Sequence, residues 1–292
     1  MALAQARWVQ ERFKEQRADW VVELRIIKTL GDSKDTMSVE QIDAKGIFTR
    51  EIEEALLAGK IDMAVHSLKD LPVELPSGLM LGPVPAREDP RDVLVSLGKK
   101  KLDQLPKNAR VGTGSSRRAL QLLALRPDLK IMDLRGNVQT RVKRVQESDL
   151  HAVVLARAGL SRLGEENQIA QIFEPEQMLP AVGQGALAVE IRQNDAQAMG
   201  MVEGIRDEGA DCETRAERAF LAALGGGCRV PIGGMARCAQ GELTLWGGVF
   251  RRPDAGSFRG EMRGKARDAR QLGRALAEDL MAQGAKEVLS RE

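Results

Sequence analysis

A chain of 292 residues is longer than one typical hydrophobic core supports, so two or three domains are expected. Its 44 Lys and Arg nearly cancel its 42 Asp and Glu, leaving +2, so bulk charge points to no nucleic-acid or membrane partner. No apolar run approaches the length of a membrane span, and 3% aromatics with no tyrosine leave little surface for stacking single-stranded bases.

Helical spacing of Ala2, Ala6, Val9 and Phe13 predicts an opening helix, and Val21 to Ile27 reads as a strand. Glu51 to Ala58 reads as a helix stopped at Gly59, and Ile61 to Val65 as a strand running into His66-Ser67-Leu68-Lys69-Asp70. Gly78 to Val84 and Asp92 to Leu97 are further strands. A second alternating block follows: strand Ala109 to Gly112, a helix through Leu125, strand Leu129 to Leu134, a helix capped by Asn137, and strand His151 to Leu155. Leu179 to Gly185 reads as a crossing loop and Ala186 to Ile191 as the strand after it. Thr214 and Glu217 form a T-x-x-E pattern that predicts a helix start. Strand-like runs Arg229 to Ala236, Glu242 to Phe250 and Ser257 to Gly264 follow, then a helix from Ala266 to Met281. The pattern predicts open α/β sheets with ligands at the C-terminal strand ends, plus a small α+β domain at the end of the chain.

Cys228 stands behind Gly225-Gly226-Gly227 and before Arg229, a thiol on a bare loop beside a cation that favours the reactive thiolate. The other cysteines, Cys212 and Cys238, form no C-x-x-C pair with it. With only His66 and His151 besides, no metal site is expected, and a reducing, cytoplasmic setting fits. The opening Met-Ala-Leu-Ala-Gln-Ala-Arg-Trp lacks the layout of a signal peptide.

Thr113-Gly114-Ser115-Ser116-Arg117-Arg118 joins a strand to a helix, where free N–H groups make an anion site. Two arginines in a first helical turn oppose the helix dipole, which hints at function; a solvated basic pair is the other reading. Arg135 and Arg162 follow other strands, with Arg141 on the helix after Arg135. Arginines delivered from three strand ends suit a small molecule bearing several carboxylates. Asp70, also at a strand end, reads either as a stabiliser of a developing cation or as a turn residue before Leu71-Pro72. Lys45-Gly46-Ile47-Phe48 reads as a hinge or lid, and His66 as a structural histidine.

Lys45 to Glu51, Ala64 to Pro72, Arg87 to Asp92, Val111 to Arg118, Leu134 to Val138, Leu179 to Gly185, and Gly226-Gly227-Cys228 keep one order along nearly the whole chain. Together these segments resemble the porphobilinogen deaminase, or hydroxymethylbilane synthase, family. The resemblance implies two periplasmic-binding-protein-like α/β domains around a hinged cleft and a small C-terminal α+β domain. Their expected extents are 1–86 with 186–204, 91–180, and 208–292. It implies a cytoplasmic, monomeric transferase of tetrapyrrole biosynthesis that deaminates porphobilinogen and joins four units into hydroxymethylbilane. A dipyrromethane primer would be held by a thioether to Cys228. Asp70 would stabilise cationic intermediates. Lys69, Thr113, Ser115, Arg117, Arg118, Arg135 and Gln184 would contact the cofactor, and Arg141, Arg162 and Phe48 the substrate.

The family's usual opening strand, of the type R-I-A-T-R-x-S-P-L-A, is not in this sequence. The expectation is a first-domain sheet with unpaired ladder groups, and lowered stability and activity. A reading from another class is a solute-binding protein, in which two hinged α/β domains close on an anion without chemistry. Cys228, the third domain and the lack of a signal peptide argue against it. A thiol acyltransferase would want a histidine base near the cysteine, and neither histidine stands in such a motif.

Overall fold

In the structure, a computed structural model, residues 1–29, 49–147, 150–226 and 230–289 are described. Helix α1 (Ala2–Gln16) forms where the spacing predicts, with Val9 and Phe13 each 2% exposed. Helix α2 (Arg50–Leu57) ends before Gly59, whose positive φ lets the chain reverse into β1 (Met63–Ser67), and β2 (Leu79–Leu81) follows. The strand expected over Val21 to Ile27 does not form: residues 20–29 carry no helix or strand, and Val21 is 88% exposed. Residues of high strand propensity become a strand only beside a partner that completes the ladder, and no described strand pairs with this segment.

The second block runs β3 (Asp92–Ser96), β4 (Arg110–Gly112), α3 (Ser116–Leu125), β5 (Lys130–Met132), α4 (Val138–Glu147), β6 (Ala152–Ala156), α5 (Arg157–Ser161) and β7 (Ile169–Ile172). Its sheet has the order β5-β4-β6-β3-β7. Strands β5, β4 and β6 are parallel, and β3 runs antiparallel to β6 and β7. The N-terminal end of β3 therefore lies at the same sheet edge as the C-terminal end of β6, where Asp92 pairs with Ala156. Asn137 caps α4 through the N–H of Thr140.

The chain returns as β8 (Leu187–Arg192), which pairs antiparallel with β1 on one side and β2 on the other. Helix α1 covers one face of this sheet through Val9, Phe13, Leu187, Val189 and Ile191. Helix α2 covers the other through Leu56, Ala64 and Leu79. Helix α6 (Ala196–Gly204) follows, capped by Asp195.

Helix α7 (Glu208–Ala223) leads to β9 (Ile232–Ala239), β10 (Glu242–Val249), β11 (Phe258–Lys265), α8 (Ala269–Leu280) and α9 (Lys286–Leu289). The three strands form an antiparallel meander with β10 in the centre. Phe220, Leu276 and Leu280 pack on Leu243, Leu245 and Val249. Gly273 permits the closest helix approach, since a Cβ there would stand 2.3 Å from the carbonyl oxygen of Ala216. The capping box expected at Thr214 and Glu217 is not one. Helix α7 starts six residues before Thr214, Asp207 accepts from the N–H of Ala210, and Glu217 lies fully buried in mid-helix.

By contacts the chain divides into two units. One holds residues 2–86 and 186–211; the other holds residue 1 with 87–185 and 212–292. Among the described residues no helix is long and apolar enough to cross a membrane.

Candidate functional site

The larger unit contains most of the arginines marked in the sequence. Thr113 and Arg135 follow the adjacent parallel strands β4 and β5 at the C-terminal edge of one sheet, and Arg162 ends the short helix α5 that follows the third parallel strand, β6. Arg117 and Arg118 occupy the first turn of α3, as the spacing predicts. They are not a solvated pair: their exposures are 5% and 6%. Both close on Asp92, which is fully buried.

Arg118 Nε and Nη2 donate to Asp92 Oδ1 at 3.0 and 2.7 Å, and its Nη1 donates to the carbonyl of Val154. Arg117 Nη1 donates to Asp92 Oδ2 at 2.7 Å and also to the carbonyl of Leu179. Its Nε and Nη2 make no protein hydrogen bond among the described residues. Gln184 Nε2 donates to Asp92 Oδ1 at 2.8 Å and to the carbonyl of Pro90. Burial raises the Asp92 carboxyl, but the two guanidinium charges outweigh it and hold the group below the ordinary carboxylate range. Burial lowers the Arg117 guanidinium against the pull of Asp92.

Gln184 is placed by the crossing loop. Neighbouring Gly185 has φ +87, and a Cβ there would meet the Glu88 carbonyl oxygen at 2.3 Å, so only glycine fits the crossing. A second buried ion cluster holds the same loop. Arg87 Nε donates to the Gln184 carbonyl, and its Nη1 and Nη2 donate to the two oxygens of Glu217 at 2.7 and 3.0 Å. Glu217 also accepts from the backbone N–H of Gly183 and Ala236. Helix α7 is thus tied through Glu217 to the residues that aim Gln184.

Arg162 donates to the carbonyl of Gly185 at 2.6 Å, and burial, opposed by nearby Glu88, lowers its guanidinium. Thr113 is buried, and its Oγ1 accepts from the N–H of Ser115. Arg135 is exposed beside Asp133, and Arg141 folds back to the carbonyl of Gly136, so these two stand apart from the Asp92 cluster. Lys69 and Asp70 belong to the smaller unit, on the short turn after β1, with Asp70 exposed. Cys228, Phe48 and the segment Lys45 to Ile47, read from sequence as a hinge or lid, lie outside the described residues.

The sequence reading missed Asp92, Arg87 and Glu217 as site-building residues. A carboxylate heading the otherwise apolar run Asp-Val-Leu-Val was the available signal. Arg117 keeps an unspent Nε–Nη2 edge, and the desolvated Arg162 side chain donates to a carbonyl, with no carboxylate hydrogen-bonded to it among the described residues; guanidinium groups in that state are able to pair with carboxylates.

Comparison with known proteins gives the family. A family model for "porphobilinogen deaminase, dipyromethane cofactor binding domain" matches residues 1–200, and one for the C-terminal domain of porphobilinogen deaminase matches residues 212–282. A porphobilinogen deaminase from Pelotomaculum thermopropionicum is 46% identical over 100% of this chain and 93% of its own length. One from Thermus thermophilus is 45% identical over 100% of this chain and 95% of its own length. The chain belongs to the porphobilinogen deaminase family. Among solved structures, a substrate binding domain of a putative amino acid ABC transporter from Streptococcus pneumoniae shares 12% identity over 75% of this chain and 84% of that one, with a TM-score of 0.42. A likeness at that level carries no weight. The unspent edge of Arg117 is chemically compatible with a carboxylate-bearing group such as the dipyrromethane that the first family model names.

Proposed function

We propose that this chain joins four porphobilinogen molecules head to tail into hydroxymethylbilane, on a dipyrromethane primer held by a thioether to Cys228. It is a transferase of tetrapyrrole biosynthesis, releasing ammonia at each addition. The observation that carries the reading is the match of both family models, together spanning nearly the whole chain. When bound, the primer supplies the nucleophilic pyrrole carbon on which the product grows.

The chain's own residues bind and steady the charged groups. Arg117 offers its open guanidinium edge to a primer carboxylate, with Arg118, Gln184, Thr113 and Ser115 building the wall around it. Arg135 adds a further primer contact, as does Lys69. Arg162 and Arg141 receive the carboxylates of incoming units, with Phe48 beside them. Asp70 accepts hydrogen bonds from pyrrole N–H groups and stabilises positive charge as it develops. We assign three domains, 1–86 with 186–204, 91–180 and 208–292, and place the protein in the cytoplasm as a monomer that engages neither nucleic acid nor membrane.

Intact mass before and after porphobilinogen addition tests the reading. The purified chain is expected to carry added mass that Cys228→Ser removes, and to gain further units with substrate. A chain that consumes no porphobilinogen overturns the function, and a Cys228→Ser protein that still builds tetrapyrrole overturns the attachment.

A further inference from the structure

A guanidinium is a rigid planar fork with five N–H donors, so fixing one part of it fixes the direction of the rest. Asp92 does this twice. Its Oδ1 takes the whole Nε–Nη2 edge of Arg118, and its Oδ2 takes Nη1 of Arg117. Arg118 has nearly exhausted its donors on Asp92, the Val154 carbonyl and Gln184 Oε1. In Arg117, Nη1 is spent on Asp92 and the Leu179 carbonyl, which leaves the Nε–Nη2 edge with three N–H donors and no protein partner among the described residues. That edge matches a carboxylate bidentately. The side chain is 6% exposed, so its packing permits little other orientation.

We propose that Asp92 is the positioning residue of this site: it consumes Arg118 and one nitrogen of Arg117 so that the remaining edge of Arg117 is turned to a ligand carboxylate. The two arginines are therefore unequal. Arg117 is the carboxylate contact, and Arg118 is part of the mount that aims it. Asp92 itself touches no ligand. This rests on the function proposed above, in which the carboxylate belongs to the primer.

The test measures the fraction of folded chain carrying added mass after exposure to graded porphobilinogen, with thermal melts alongside. Asp92→Asn keeps the shape but presents an amide N–H to a guanidinium. Asp92→Glu keeps the charge and moves the carboxylate by one methylene. Both are expected to raise the concentration for half-loading by roughly 10- to 100-fold, the scale of a misplacement near 1 Å. Asp92→Asn combined with Arg117→Lys is expected to shift it no further than Arg117→Lys alone. Loading by Asp92→Asn at wild-type concentrations overturns the proposal, as does a double variant whose shift equals the product of the singles. If neither Asp92 variant yields folded protein, Asp92 serves the fold alone and the proposal also falls. Arg117→Ala with wild-type loading removes Arg117 as the carboxylate contact and overturns the proposal while leaving the functional reading intact; a wild-type chain that gains no mass sinks that reading; impaired Arg117→Ala beside normal Asp92→Asn sinks only the positioning role.

Discussion

Asp92 at the head of β3 and Glu190 in β8 are both fully excluded from solvent, yet their surroundings differ in kind. Asp92 receives four side-chain N–H donors, three of them from two permanently charged arginines. Glu190 has His66 Nε2 at 3.2 Å from Oε2 and no hydrogen-bond partner on Oε1 among the described residues. Glu53 of α2 adds negative charge nearby. Burial first, and Glu190 after it, push the Glu53 carboxyl above its ordinary range. A buried charge is tolerated when paired and hydrogen-bonded and is costly otherwise. Burial alone therefore does not mark a site-building carboxylate in this molecule. The mark is what its partners have left over: Arg117 keeps an unspent edge beside Asp92, whereas Glu190 leaves one of its own oxygens unmet.

The largest expected effect separates the two by stability. Asp92→Ala strands two buried guanidinium groups and is expected to destabilise by about 3–5 kcal/mol, as for other broken buried pairs. Glu190→Gln removes a carboxylate that is only half satisfied and is expected to change stability by no more than about 1 kcal/mol. Urea unfolding of both variants checks this. Similar losses would erase the distinction between the two carboxylates.

A second expectation concerns pH. With the Asp92 carboxyl depressed in the fold, the unfolded chain takes up a proton below about pH 3.9 that the folded chain refuses, so stability falls as pH drops through that window. Glu53 has the opposite sign. Its carboxyl is raised, the folded chain keeps the proton longer, and stability falls as pH rises above about 4.3. Glu53→Gln is expected to flatten this decline and leave the acid limb intact. Urea midpoints across the acid to neutral range measure both slopes. A decline unchanged in Glu53→Gln would remove Glu53 from the account.

Local patterns carried much of this architecture. The 3.6-residue spacing of Val9 and Phe13 located α1, the chain segments of the C-terminal meander are marked by their turns, and Arg117 and Arg118 fall in the first turn of α3 as read. What stayed hidden depends on distant partners. Asp92 meets its arginines 25 and 26 residues later, and Glu217 meets Arg87 130 residues away, where a short-range pattern imitated a capping box. Val21 to Ile27 shows the converse: strand propensity was present, but a described strand partner was not. For the candidate site, sequence placed the arginines at strand ends but carried no sign of how their donors divide between Asp92 and open edges.

That division sets the smallest expected effect. Arg135 follows β5 as Arg117 follows β4, but it is exposed and pairs with Asp133 at 3.4 Å, both side chains largely in solvent. An exposed pair of this kind gains little Coulomb energy, gives up side-chain entropy and is screened by salt. Arg117 holds a buried carboxylate and a buried carbonyl at once. Arg135→Gln is therefore expected to leave the melting temperature unchanged while slowing porphobilinogen consumption. Arg117→Gln is expected to lower both, since Asp92 then loses one of its two cations. Melting curves and porphobilinogen consumption for the two variants decide it. A clear loss of melting temperature in Arg135→Gln would show that the exposed arginine shares the buried cluster's structural work. An unchanged melting temperature in Arg117→Gln would show that Arg118 and Gln184 suffice to hold Asp92.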